Sequence, residues 1–170
     1  MVMYMTKTFL KHLLFMSLWL SCDLLANTRP FLNTDREINL GAVLFVPGNC
    51  TMSHSNGSFS NINPAMMCGS GGTGTPGRYV IFAEPNQQVS IKLLQRDNQG
   101  DGLMFIPEGE LVSDTETLPF TAGVAEEIDS GVSGIVTINV GGRLFVLTSI
   151  SPSSNIEFTL VDGIEWSIVP

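Results

Sequence analysis

Downstream of residue 38, polar and apolar positions alternate in short runs. Val89, Ile91 and Leu93 face one way and Ser90 and Lys92 the other, while Ile164, Trp166 and Ile168 oppose Glu165 and Ser167. A period of two gives a strand with one buried and one wet face. Nowhere after Asn27 do apolar residues recur at helical spacing over a useful length, whereas β-branched and aromatic runs bounded by Gly, Pro, Asn and Asp appear repeatedly. The predicted strands are Ile38–Val46, Arg78–Glu84, Gln88–Gln95, Leu103–Ile106, Thr117–Thr121, Gly134–Val140, Arg143–Ile150, Asn155–Val161 and Ile164–Val169.

Turn signals order these strands. Gly141-Gly142 and Asp162-Gly163 read as two-residue hairpin turns, because glycine takes positive φ without strain. Glu84-Pro85-Asn86-Gln87 reads as a proline-initiated connection between two more strands. Consecutive short strands punctuated in this way predict an all-β, antiparallel β-sandwich and not βαβ units. Between residues 48 and 77 the chain becomes rich in Gly, Ser and Asn, which predicts a long surface loop.

The start of the chain has a different pattern. Lys7 and Lys11 precede the apolar run Leu13–Leu20, too short to span a bilayer, and Ala26 is a small residue suited to a cleavage site. Residues 1–26 are therefore expected to be a secretory signal peptide, cut before Asn27. A rival reading makes Cys22 a lipidated N-terminus, since Leu20-Ser21-Cys22 suits bacterial lipoprotein processing, although Trp19 does not. Attachment to a membrane is expected only in that case. Cleavage leaves a short N-terminal extension, residues 27–37, ahead of a single domain over 38–170, a size that can bury a core.

Composition then narrows the function. The formal net charge is −8, and removing Lys7, Lys11 and Asp23 with the leader makes it −9. Arg29, Arg36, Arg78, Lys92, Arg96 and Arg143 are scattered, so no basic cluster offsets the acidity, and nucleic acid is excluded as a partner. Loss of Cys22 leaves Cys50 and Cys68, an even count that favours a disulfide in an exported chain. A bridge closing a loop of that size contributes about 3 kcal/mol.

Candidate chemistry is sparse. Asp97, Asp101 and Glu108 match positions 1, 5 and 12 of a calcium loop, with Gly102 at its turn position, but Gln99 stands at position 3 and Pro107 where a helix should begin. Hairpin-tip residues explain the same pattern. Gly69, Gly71 and Gly74 have dinucleotide-binding spacing without the strand and helix that motif requires. His54 is the one histidine left after the leader, in a stretch predicted to be a mobile loop, so it does not make a rigid triad. Glu126, Glu127 and Asp129 are neighbouring carboxylates that could pair as acid and base, or simply form a solvated turn. Asn49-Cys50-Thr51 and Asn56-Gly57-Ser58 fit the N-glycosylation pattern, relevant only in a eukaryotic source. No cofactor and no enzymatic activity are expected.

Four blocks in order, Ile38-Asn39-Leu40-Gly41-Ala42-Val43, Gly77-Arg78-Tyr79-Val80-Ile81, Pro85–Ile91 and Val140-Gly141-Gly142-Arg143-Leu144-Phe145-Val146, carry a resemblance over about residues 38–150. The chain resembles the bacterial family called domain of unknown function 4402. That resemblance implies an immunoglobulin-like sandwich, exported to the periplasm, outer surface or medium of a Gram-negative cell, with pilin-like relatives and no catalytic residues to carry over. It also implies partners: a periplasmic chaperone or other envelope and pilus subunits, engaged by strand addition at a sheet edge. Asn27–Arg36 lacks the alternating apolar pattern of a donor strand, because Phe31 and Leu32 are adjacent and Pro30 interrupts donation. A minor or tip subunit is thus expected instead of a major pilin. The first rival is a secreted carbohydrate or small-ligand binding module using loop 48–77, whose lone aromatic is Phe59.

Overall fold

The structure, a computed structural model, describes residues 29–41, 47–63, 73–98, 102–147 and 157–170. Among these are thirteen strands, all paired antiparallel: β1 Phe31–Arg36, β2 Ile38–Asn39, β3 Gly48–Met52, β4 Phe59–Asn63, β5 Gly77–Phe82, β6 Gln88–Leu93, β7 Arg96–Asn98, β8 Leu103–Val112, β9 Thr117–Thr121, β10 Ala125–Asp129, β11 Ile135–Val146, β12 Glu157–Phe158 and β13 Ile164–Ile168. The fold is an all-β antiparallel sandwich, as the alternation predicts.

The twelve-residue β11 is the spine of the larger sheet. On one flank it pairs with β8 from Thr137↔Val112 to Val146↔Leu103. On the other, its first half pairs with β5 and its second half with β3. Strand β1 extends the sheet beyond β5, β4 extends it beyond β3, and β9 and β7 lie side by side beyond β8.

The predicted Gly141-Gly142 hairpin is therefore incorrect: both glycines lie inside β11. A Cβ on Gly141 would sit 2.3 Å from the Met52 carbonyl oxygen, and one on Gly142, whose φ is 144°, would sit 2.3 Å from that of Ile106. The glycines let flanking backbones close in where β11 passes from β5 to β3. That is the other use of glycine in a strand.

The smaller sheet has the order β10-β6-β13. Its inward residues Val89, Ile91, Leu93, Ile128 and Ile164 join Tyr79, Ile81, Phe105, Leu111, Val136 and Ile138 of the larger sheet in one buried cluster. The Pro85-Asn86 turn, with Asn86 at φ 58°, carries the chain from β5 into β6 and hence from one sheet to the other. Ser130 fastens this crossing, accepting from Gln87 N at 3.0 Å and donating to Glu84 O at 2.9 Å.

Four more expectations change. Asp162-Gly163 does not close a hairpin; it belongs to a 3-10 turn, Val161–Gly163, between β12, paired to β2, and β13, paired to β6. The predicted loop over 48–77 contains the β3–β4 hairpin, because polar Asn, Thr and Ser positions hide a strand pair with Cys50 and Met52 turned inward. The N-terminal extension holds β1, an edge strand on β5. The strand expected over Ile38–Val46 is Ile38–Asn39 among the described residues, and 42–46 lie outside them.

Tyr79 ties the chain start to this frame. Its buried hydroxyl donates to Glu37 Oε2 at 2.6 Å, and burial first, then Glu37, push its ionisation far above the ordinary tyrosine range.

Candidate functional site

The outer face of the larger sheet brings His54 and Glu108, both singled out from sequence, together with Glu110, Asn139 and Arg143. His54 is not on a mobile loop: the β3–β4 turn is closed by Ser53 N to Ser58 O at 2.9 Å and Gly57 N to Ser53 O at 3.0 Å. This holds the His54 Nε2 3.6 Å from Glu110 Oε2, while Asn139 Nδ2 donates to Glu110 Oε1 at 3.1 Å. Beside them Arg143 Nη2 reaches Glu108 Oε1 at 2.7 Å. Ser53 and Ser55 bond each other through their hydroxyls at 2.9 Å. The array thus holds an imidazole beside a carboxylate, with no hydroxyl or thiol bonded to the ring among the described residues.

The calcium candidates do not converge. Asp97 lies on β7 opposite Met104, and Glu108 lies four residues further along β8, about 13 Å away at strand rise. Calcium needs its ligands within about 2.6 Å of the ion. Glu108 is engaged by Arg143, Asp97 accepts from Gln95 Nε2 at 2.8 Å, and Asp101 lies outside the described residues. Among the described residues no group of three or more His, Cys, Asp or Glu side chains is placed to hold a metal.

The other singled-out residues take structural positions. Asp129 caps a turn, its Oδ1 accepting from Gly131 N at 2.6 Å, while its Oδ2 accepts from Gln88 Nε2 at 3.5 Å. Cys50 is 1 % exposed on the inward side of β3, and Cys68 lies outside the described residues. Asn49 is half-buried on β3; Asn56 is exposed on the turn, its Oδ1 accepting from Ser58 N. Gly74 bonds Gly57 O, and Gly69 and Gly71 fall outside the described residues. Phe59 packs against the core.

What sequence reasoning missed is a difference among the sheet edges. An open edge exposes unpaired N–H and C=O groups, and charge, proline, bulges or brevity blunt it. Strand β1 has a register shift at Thr34/Arg36 and the Asp35–Arg78 ion pair, β4 faces an irregularity between Asn49 and Thr51, β9 contains Pro119, and β7 has three residues. Strand β10 carries Glu126, Glu127 and Asp129, and Glu116 Oε1 accepts its Asp129 N–H at 2.8 Å.

Strand β13 has no proline and no register shift, and its single charge is paired to Lys92. Leu94 N donates to Gly163 O at 2.8 Å and Val169 N to Gln88 O at 2.9 Å, which sets the phase of the ladder. In antiparallel pairing the bonded residues alternate, so Glu165 and Ser167 bond β6 while Ile164, Trp166 and Ile168 aim their backbone groups outward, the Ile164 N–H onto Val161 O of the 3-10 turn. Their side chains lie on the core face, and Trp166 and Ile168 are only partly covered. Lys92 Nζ neutralises Glu165, the sole charge on the strand, at 2.9 Å. Strand β13 is thus an apolar, electrostatically quiet edge whose free backbone groups, among the described residues, are those of Trp166 and Ile168 and the Ile164 carbonyl. The alternation of residues 164–168 announces the strand, but only the three-dimensional pairing makes it an edge.

No family model, curated protein or solved structure matches the chain.

Proposed function

We propose that the chain is an exported, non-enzymatic subunit of a bacterial envelope, pilin-like or adhesion-related and of minor or tip type, which assembles by accepting a strand at the β13 edge. The observation that carries this reading is the outward row of backbone groups on Trp166 and Ile168 and the Ile164 carbonyl, with no proline or bulge and with the one charge, Glu165, paired to Lys92. Strand addition uses such groups for affinity and alternate side chains for specificity.

Other features support it. The leader-like residues 1–26, with Lys7 and Lys11 before Leu13–Leu20, account for export. The resemblance to domain of unknown function 4402 supports an immunoglobulin-like arrangement of the sandwich. Strand β1 is consumed within its own sheet by pairing with β5, so residues 31–36 are not a free donor, in keeping with a subunit that does not polymerise through its N-terminus. Cys50 is in the disulfide-bonded form, and Cys68 is the partner we assign to it, since Cys22 leaves with the leader. The carbohydrate-module alternative is weakened because Phe59, the aromatic of the 48–77 stretch, packs on the core.

The test is capture. A tagged, secreted chain is expected to co-purify with envelope subunits or a periplasmic chaperone, and a Trp166→Pro variant, which removes an outward N–H, to lose them. A chain that captures no envelope protein but is retained by a glycan on an array would overturn the reading.

A further inference from the structure

Geometry at the β13 edge also says which strand fits it. We propose that the edge pairs with β13 of a second copy, antiparallel, about a two-fold axis through Trp166. This deepens the strand-accepting reading above and rests on it for the role of the edge: the second copy occupies β13 of the free subunit and is displaced when an envelope subunit's strand takes its place.

The first argument is register. A two-fold on Glu165 or Ser167 would oppose backbone groups already spent on β6. A two-fold on Ile164 would run the partner strand against Leu160 and the 3-10 turn, and one on Ile168 would set Trp166 against Pro170, which has no N–H to give. Centring on Trp166 opposes outward groups to outward groups: Trp166 meets its own copy through both its N–H and its carbonyl, and the Ile168 N–H of each copy meets the Ile164 carbonyl of the other, while the Ile164 N–H stays on Val161 O.

The second argument is side-chain chemistry. On the core face this register sets Ile opposite Ile and Trp opposite Trp, the apolar and aromatic pairs that stabilise neighbouring strands. On the wet face it sets Glu165 opposite Ser167 of the second copy, so no like charges meet. Each Glu165 already has its Lys92 at 2.9 Å, which removes the local repulsion that a chain of net charge −8 would otherwise bring to a self-contact. An isologous contact of this kind closes at two copies and does not grow into a filament. The two small sheets become one, in the order β10-β6-β13-β13-β6-β10, with the acidic, capped β10 strands at its ends.

Ser167 is exposed and turned away from the core, so its substitution leaves the fold intact while rewriting the pairing. Sedimentation of the mature, disulfide-intact chain over a concentration series is expected to show a dimer. Ser167→Glu creates two Glu–Glu oppositions and is expected to raise the dimer dissociation constant about tenfold or more, whereas Ser167→Lys, opposite Glu165 of the second copy, should hold or lower it. Unchanged melting temperatures for both variants confirm that they fold. A wild-type chain monomeric up to about 1 mM, or a dimer equally stable with Ser167→Glu, overturns the proposal. If the chain stays monomeric yet still captures envelope subunits through β13, only the second-copy claim falls. If it dimerises as described yet captures nothing from the envelope, the functional reading falls and the dimer stands.

Discussion

The two edges of the smaller sheet are built on the same central strand and differ in nearly every property that governs adhesion. Strand β10 presents Glu126 and Glu127, and the Glu116 carboxylate closes off the Asp129 N–H. Strand β13 presents outward the backbone groups of Trp166 and Ile168 and the Ile164 carbonyl, and its one carboxylate is neutralised by Lys92. Both are five residues long and both pair with β6. Edge protection in this sandwich is therefore a matter of particular side chains and not of topology.

Substitutions should break or sharpen that contrast in a graded way. The largest effect is expected at the strand both edges share. Ile91→Ala removes a side chain that is 1 % exposed, at a cost of about 2–5 kcal/mol, and should loosen β10 and β13 together in a denaturant titration. Glu116→Ala should cost about 1–2 kcal/mol and speed amide exchange at Asp129, leaving β10 nearer in character to β13.

Tyr79→Phe provides a control in the larger sheet. It frees Glu37 at a cost of about 1 kcal/mol and should leave the exchange behaviour of both small-sheet edges unaltered. Because burial raises the folded-state pKa of Tyr79, its contribution is whole below the ordinary tyrosine value of about 10 and is lost as pH rises beyond it. The Phe variant should accordingly lose less stability than the wild type between about pH 9 and pH 11. Lys92→Ala, breaking an ion pair whose Glu165 partner is more than half exposed, should cost under about 1 kcal/mol, read as a small shift in melting temperature.

Local patterning made part of this legible. Thr117–Thr121 and the 88–93 and 164–168 strands follow from alternation and flanking turn residues, which act over a few positions. The β3–β4 hairpin escaped notice because Asn49, Thr51 and Ser60 make its outer face resemble loop composition. Gly141-Gly142 signalled a backbone need correctly, but close approach and a tight turn both require glycine, and only the neighbours distinguish them. The site was least legible of all. Ile164, Trp166 and Ile168 read as an ordinary half-buried strand, and that no described strand bonds their outward side depends on pairings with β6, some 75 residues earlier. The calcium spacing failed for the same reason, since a hairpin unrolls what a loop would have gathered.

Amide hydrogen exchange at Trp166, measured at low and high protein concentration beside Asp129, tests the open-edge claim most directly. The account predicts that the Trp166 amide exchanges freely in the dilute chain and becomes protected as concentration rises, while Asp129, held by Glu116, is protected at both. Protection of Trp166 that is already complete in the dilute monomer, or that never develops, would contradict it.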